Sequence, residues 1–293
     1  MSEDSESLIR QAKIALKEAS SEKDSSVQLY LDELENRDIY PSNLETDLLW
    51  AIQEDQLEVH FQPQKNLREN TLHGVEALLR WDHPEAGFVS PPTIVSIAET
   101  LGEMTALGKW VMKTACSRVS RWNENRDQPL KLSVNVSAIE FQQGYSFVRS
   151  VRNILQTTGL DPSHLCVEIT ETEAMDELNF TLRLLSELKA LGVEIAIDDY
   201  GTGQSSLAYL AKFPDPVLKI DRSFVDGVTQ SSQQETIVRS TVEMAREMGL
   251  ETVAEGVERQ EEEDFLKTIG CDYYQGYHYA RPQPAEDLDS EFF

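Results

Sequence analysis

The sequence predicts an α/β fold, a (β/α)8 barrel with one strand antiparallel to the others, and three observations carry that expectation. Eight short segments rich in apolar and β-branched residues recur between residues 57 and 274. Stretches of helical length separate most of them, the alternation that builds a parallel sheet. The first pair is the exception. Only about ten residues, with no helix among them, join it, whereas a parallel crossover needs about a dozen or more. An open doubly wound sheet is the alternative arrangement of the same elements.

Taken in order, residues 1–40 read differently from the rest. Leu8 to Leu16 has helical apolar spacing, Ser20 to Ser26 is polar, and Val27 to Leu31 alternates like a short strand. This is too little to close a core. A helix over Leu44 to Glu54 opens the main body, so the expected division is 1–40 as a linker or remnant and 41–293 as one domain. The expected strands are 57–63, 72–81, 130–136, 164–170, 193–199, 216–221, 251–255 and 271–274. Helices are expected over 104–125, 145–158, 174–190 and 232–248.

Composition narrows the function classes. With 26 Lys+Arg against 52 Asp+Glu the formal net charge is −26, a surface that repels duplex nucleic acid and anionic lipid. An anionic substrate needs a local reversal of that field, and bound divalent cations supply one. No apolar run approaches the roughly 20 residues that span a bilayer, and the acidic start lacks the features of a signal peptide. A cytoplasmic protein is expected. Cys116, Cys166 and Cys271 have neither disulfide-framework nor zinc spacing and read as small buried hydrophobes.

Side chains alternate faces along a strand. Leu132, Val134 and Val136 oppose Ser133, Asn135 and Ser137; Leu165, Val167 and Ile169 oppose Cys166, Glu168 and Thr170. Val193, Ile195 and Ile197 oppose Glu194, Ala196 and Asp198, while Leu218 and Ile220 oppose Val217, Lys219 and Asp221. One face is aliphatic, as under a layer of helices. The other carries carboxylates, an amide and a lysine, mostly late in the strand, where barrels of this kind place their chemistry. Buried unpaired carboxylates would cost several kcal/mol each. Glu76, Asn135, Glu168, Asp198 and Asp199 form a hard-oxygen set suited to Mg²⁺ or Mn²⁺ and not to zinc.

The same residues carry a family resemblance. Glu76-Ala77-Leu78-Leu79-Arg80-Trp81 is similar to the EALxRW signature of the EAL domain. Asn135-Val136-Ser137, Glu168-Ile169-Thr170-Glu171, Asp198-Asp199-Tyr200-Gly201-Thr202-Gly203, Leu218-Lys219-Ile220-Asp221, Ala254-Glu255-Gly256-Val257-Glu258 and Gln275-Gly276-Tyr277 resemble its later motifs, in the family's order. The resemblance covers roughly residues 45–285. It implies a TIM-like barrel with one reversed strand, and hydrolysis of cyclic di-GMP to linear pGpG, supported by two Mg²⁺ or Mn²⁺ ions and inhibited by Ca²⁺.

Carried over residue by residue, it assigns Glu76, Asn135, Glu168 and Asp198 to a first metal, with Asp198 bridging to a second held also by Asp199 and Glu255. Lys219 would hold the attacking water; Glu255 would be ligand, general base or both; Gln275 would position the water or the groups behind it. Gln62, Leu79 and Arg80 would contact the substrate, Arg80 through a phosphate, with Asp221 and Glu258 supporting that side. Glu171 would hold the Asp199–Ser206 loop, whose GxG is by itself a weak phosphate-cradle signature.

Departures from the pattern are Tyr200, Gln204, and Pro216 where an aspartate is usual, with Asp215 one place displaced. They bear on dimer geometry more than on chemistry. A homodimer through this domain is implied. Residues 1–40 resemble the end of a GGDEF domain, implying a parent protein with GGDEF or sensor domains upstream. No GGDEF motif is present, so synthesis of cyclic di-GMP by this chain is not expected. The alternative reading is a non-catalytic cyclic di-GMP receptor, and a further one is a barrel hydrolase of another phosphodiester. His60, His73, His83, His164 and His278 lack the spacing of a histidine-based phosphodiesterase and read as surface or partly buried side chains.

Overall fold

The computed structural model describes residues 44–292 apart from 55, 125, 172–177 and 202–209. The expectations for residues 1–40 therefore lie outside the described residues. Helix α1 (Leu44–Gln53) is followed by β1 (Glu58–Asn66), β2 (Thr71–His83) and a short β3 (Gly87–Val89). Then come α2 (Pro91–Leu101), α3 (Met104–Asn123), β4 (Lys131–Asn135), α4 (Ala138–Gln142), α5 (Tyr145–Thr158) and β5 (Leu165–Thr170). The second half runs α6 (Leu178–Ala190), β6 (Glu194–Tyr200), β7 (Val217–Ile220), α7 (Arg222–Val225), α8 (Ser232–Met248), β8 (Thr252–Ala254), α9 (Gln260–Ile269), β9 (Tyr273–Gln275), β10 (Gln283–Pro284) and α10 (Ala285–Phe292).

All eight expected strands form. They pair β1-β2-β4-β5-β6-β7-β8-β9, and β9 returns to β1, so the sheet closes. Closure rules out the open doubly wound alternative. Only β1 runs against its two neighbours, as the short first connection required; the tie between β1 and β2 is shorter still, residues 67–70. The last strand sits two residues later than expected, which brings Gln275 into it. Strands β3 and β10 and helices α2, α4, α7, α9 and α10 add to the elements named from the sequence.

The aliphatic faces point outward. Leu132, Val134, Leu165, Val167, Ile195 and Ile197 join one apolar cluster with residues of α3, α5 and α6. Val225, Val238, Val242 and Leu266 cover β7 to β9 in a second. Leu44, Leu48, Trp81 and Ile94 form a third, beside the extension of β2. Helices end where their sequence lets them: Gly102, Gly159, Gly249 and Gly270 take left-handed C-cap conformations after α2, α5, α8 and α9. The three cysteines are buried, and burial pushes the thiols of Cys116 and Cys271 up to about 12.

The lower lumen is filled, leaving a cavity of only about 20 Å³ lined by Gln64, His73, Lys131, Glu168, Glu194, Lys219, Glu251 and Tyr273 among others. The chemistry must therefore lie at the mouth and not along a pore. His73 stacks on Tyr273 at 3.7 Å between ring centres. Burial, helped by the charge of Lys131, lowers its pKa from 6.5 to about 4. Tyr273 donates to Glu251, and Lys131 pairs with Glu194.

The sign of the linkage follows. An unfolded chain protonates this histidine below pH 6.5 while the folded chain keeps it neutral to about 4. Its contribution is thus present above pH 6.5 and lost as pH falls, by about 3 kcal/mol in all. His73→Phe keeps the stack and removes the titration. Urea unfolding at pH 7.5 and 4.5 should show the variant losing about 2–3 kcal/mol less than wild type on acidification. Equal losses would refute the assignment.

Candidate active site

The lumen face of β2, β4, β5, β6, β7 and the segment just after β8 delivers the acidic set to the C-terminal mouth of the barrel. Parallel register does the gathering: Glu76 lies opposite Ser133, Asn135 opposite Glu168, and Thr170 opposite Asp198. At the centre stands Lys219, with 1% of its side chain exposed. Its Nζ lies 2.5 Å from Glu168 Oε2, 2.7 Å from Glu255 Oε1, 3.3 Å from Asp198 Oδ1 and 3.9 Å from Glu76 Oε2. One side chain thus ties four strands together.

Adjacent residues on a strand normally face opposite ways, yet Asp198, Asp199 and Glu255 each offer an oxygen within 4.8 Å of the others. The backbone explains it. The β6–β7 register slips between Ile197 and Tyr200, and Asp199 takes a left-handed φ of 54°. Such a bulge turns two consecutive carboxylates towards one point. Asp199 N–H donates to Asp198 Oδ1 at 2.9 Å and steadies the turn. Two residues on, Gly201 N–H donates to Glu171 Oε2 at 3.1 Å. Glu171 therefore anchors the start of the Asp199–Ser206 loop; residues 202–209, Gln204 included, lie outside the described residues.

A wall of amides orients Glu76. Asn135 Nδ2 donates to Glu76 Oε1 at 2.6 Å, and Gln275 Nε2 donates to Glu76 Oε2 at 2.5 Å and to Gln62 Oε1 at 2.9 Å. Gln64 Nε2 donates to Gln275 Oε1 at 3.0 Å, so every polar atom of the Gln275 amide is engaged and its orientation is fixed. Gly276 follows because nothing larger fits: a Cβ there would lie 2.0 Å from the carbonyl oxygen of Val257. Gln64 is a site residue the sequence reading did not single out, although it falls on the same face of β1 as Gln62.

The electrostatics test whether cations fit. Five carboxylates, Glu76, Glu168, Asp198, Asp199 and Glu255, face the single ammonium of Lys219, leaving four formal negative charges that two divalent cations would balance. Burial pushes the Glu168 carboxyl well above its usual range, Lys219 opposing and Glu76, Asp198 and Glu255 reinforcing. Burial likewise raises Glu255 to about 7. Burial opposes the charge of Lys219, but Glu168, Glu255, Glu76 and Asp198 together hold its pKa well above the ordinary lysine value. Charge remains unbalanced on the carboxylate side, and the donors are all oxygen, so hard divalent cations fit.

The remaining expected residues are spread around the rim. Gln62 is buried, and its Nε2 donates to the Ala280 carbonyl at 3.1 Å. Arg80 is half-buried on the lumen face of β2, and its guanidinium donates to the Leu79 carbonyl at 2.8 Å. Leu79 itself points to the opposite face and packs on the outer apolar cluster, so the site sees only its backbone. Asp221 caps α7 through Ser223 N–H at 3.0 Å, and Glu258 pairs with Arg222 at 2.7 Å. Glu258 thus pairs with the residue after Asp221, while Asp221 itself bonds within its own turn. His83, expected as a surface or partly buried side chain, is instead buried, beside Trp81 and bonded to Asp47.

Comparison with known proteins agrees with the geometry. Residues 45–282 match the EAL domain family. The chain belongs to that family. It is 41% identical over 242 residues to MucR of Pseudomonas aeruginosa, named a bifunctional diguanylate cyclase/cyclic di-GMP phosphodiesterase, covering 83% of this chain and 35% of that protein. It is 35% identical over 287 residues to NbdA of the same organism, named a cyclic di-GMP phosphodiesterase, covering 98% of this chain and 36% of that one. Among solved structures, the phosphodiesterase PaMucR in complex with c-di-GMP matches with a TM-score of 0.80 at 41% identity, covering 84% of this chain and 99% of that one. The chain spans about a third of the length of these curated relatives. No helix among the described residues is long and apolar enough to cross a membrane.

Proposed function

We propose that this EAL domain hydrolyses cyclic di-GMP to linear pGpG with two divalent cations, Mg²⁺ or Mn²⁺, and that Ca²⁺ inhibits it. The observation that supports this most is the convergence of Glu76, Asn135, Glu168, Asp198, Asp199 and Glu255 from four strands and the segment after β8 around Lys219 at one mouth. Glu76, Asn135, Glu168 and Asp198 would hold one cation, and Asp198, Asp199 and Glu255 the other; bound there, the pair would supply Lewis acidity to water and to the phosphoryl oxygens.

The chain's own groups do the rest. Lys219 Nζ, an ammonium, orients the water, and Glu255, whose Oε1 lies 2.7 Å from it, takes the water's proton. The water oxygen bonds to phosphorus as the bond to one ribose 3′ oxygen breaks, and that oxygen takes up a proton. Gln275, with Gln62 and Gln64 behind it, keeps Glu76 in place. Arg80 swings from the Leu79 carbonyl to a phosphate, which its planar fork fits. Gln62 and the backbone of Leu79 contact the substrate, Asp221 and Glu258 support the rim, and Glu171 holds the loop.

Residues 1–40 read as the end of a GGDEF domain, in keeping with relatives of which the matched region is only about a third. GGDEF or sensor domains upstream, a homodimer through the EAL domain and a cytoplasmic site belong to the same reading.

Incubation with cyclic di-GMP and Mn²⁺, followed by chromatography, should yield pGpG, and Glu76→Ala should abolish it. Metal-independent binding without turnover would install the receptor reading instead. Turnover of other phosphodiesters in preference would make it a different hydrolase.

A further inference from the structure

Behind the amide wall, on the side away from the carboxylates, a second polar cluster is built around Glu263 in the first turn of α9. Its side chain is 10% exposed. Oε1 accepts from Lys65 Nζ at 2.8 Å, and Oε2 accepts from the Tyr274 hydroxyl at 2.5 Å and lies 3.3 Å from His278 Nε2. Lys65 is further held over the rings of Tyr274 and Tyr279, at 5.6 and 5.5 Å from their centres. A charged group this enclosed costs free energy unless it is fully partnered, and here it has partners on three separate pieces of chain.

Those pieces are the ones that carry the amide wall. Lys65 follows Gln64 on β1, and Tyr274 precedes Gln275 on β9; the register places Lys65 opposite Tyr274 and Gln64 opposite Gln275. His278 lies just past Gly276, and its backbone N–H donates to the Val257 carbonyl at 3.0 Å. One carboxylate thus pins β1, β9 and the turn after β9 in the register that lets Gln275 reach Glu76. Resting on the reading of Glu76 as a metal ligand, we infer that Glu263 is a positioning residue for the first cation site, acting through Gln275 without touching substrate or metal.

Glu263→Leu removes all three contacts and leaves Lys65 buried without its counter-charge. Gln275 then loses its fixed register, and a displacement of about 1 Å costs about a hundredfold in a site of this kind. The expected result is a kcat lowered about 10- to 100-fold, a KM for cyclic di-GMP within about threefold of wild type, and Mn²⁺ binding by electron paramagnetic resonance weakened about tenfold. Glu263→Gln keeps an acceptor for Tyr274 and should recover most of both. The double variant Lys65→Met/Glu263→Leu removes the stranded ammonium, so it should recover folding stability and leave Mn²⁺ binding weak.

A structural role alone would lower the melting temperature of Glu263→Leu while the folded protein kept wild-type Mn²⁺ binding and kcat; that outcome overturns the inference. Full recovery of Mn²⁺ binding in the double variant overturns it too. Because the Mn²⁺ titration needs no substrate, failure of the positioning role is distinguishable from failure of the proposed reaction.

Discussion

Lys219→Met is expected to cost the domain both its activity and much of its metal-free stability. The lysine is the shared counter-charge of Glu168, Glu255, Asp198 and Glu76, and it is 1% exposed. Methionine fills a similar volume, so packing changes little, but Glu168 and Glu76 are left buried with no cation among them. Breaking a buried pair in this way costs about 3–5 kcal/mol, or about 10 °C in melting temperature for a domain of this size. The carboxylates would respond by taking up protons.

Divalent ions supply what the lysine supplied, so binding linkage gives them a larger stabilising effect on the variant than on wild type. Melting curves in EDTA and in Mn²⁺ therefore test the account. The gap between the two proteins should be wide in EDTA and narrower in Mn²⁺. Turnover should stay down by about 10²–10⁴, the range for losing a group that handles a proton. A variant as stable as wild type in EDTA would show that Lys219 is not the charge that holds this cluster together.

Much of this centre can be read from strand periodicity. Asn135, Glu168, Asp198 and Lys219 fall on the polar face of otherwise aliphatic strands, late in each, and a closed barrel brings such positions together whatever the exact boundaries. The antiparallel first strand follows from loop length alone. Three features lie beyond strand periodicity because they depend on tertiary register, although the motif resemblance already named Asp199. Asp199 points into the site only because the ladder slips after Ile197 and its φ is 54°, and strict alternation would have sent it outward. Gln64 joins the amide wall behind Glu76, through Gln275, only because β1 pairs with β9 as well as with β2. Glu263 looks from the sequence like one more acid in a solvated helix start, Gln260-Glu261-Glu262-Glu263-Asp264, and becomes a clamp only when Lys65, Tyr274 and His278 fold around it. Leu79 shows the converse. It lies inside the signature hexapeptide, but alternation puts its side chain in the outer core.

The bridging position is where a single charge should matter most. Asp198→Asn keeps the size of the side chain and an oxygen that can accept the Asp199 N–H bond of 2.9 Å, so the bulge at Asp199 has no reason to collapse. What changes is one negative charge out of the trio Asp198, Asp199 and Glu255, whose oxygens lie within 4.8 Å of one another. Two cations a few ångströms apart repel strongly, and an anionic oxygen between them is what makes double occupancy possible. A neutral amide offers far less. Equilibrium dialysis should count one Mn²⁺ per chain for the variant and two for wild type. Its kcat should fall about a thousandfold, the effect of losing several kcal/mol of charge stabilisation at about 1.4 kcal/mol per tenfold. With Arg80 and Gln62 meeting the substrate as proposed, KM should move by less than about fivefold, the pattern of an interaction made chiefly in the transition state. If Asp198→Asn still bound two ions with wild-type affinity, Asp198 could not be the bridge, and the second ion would have to be held by Asp199 and Glu255 alone.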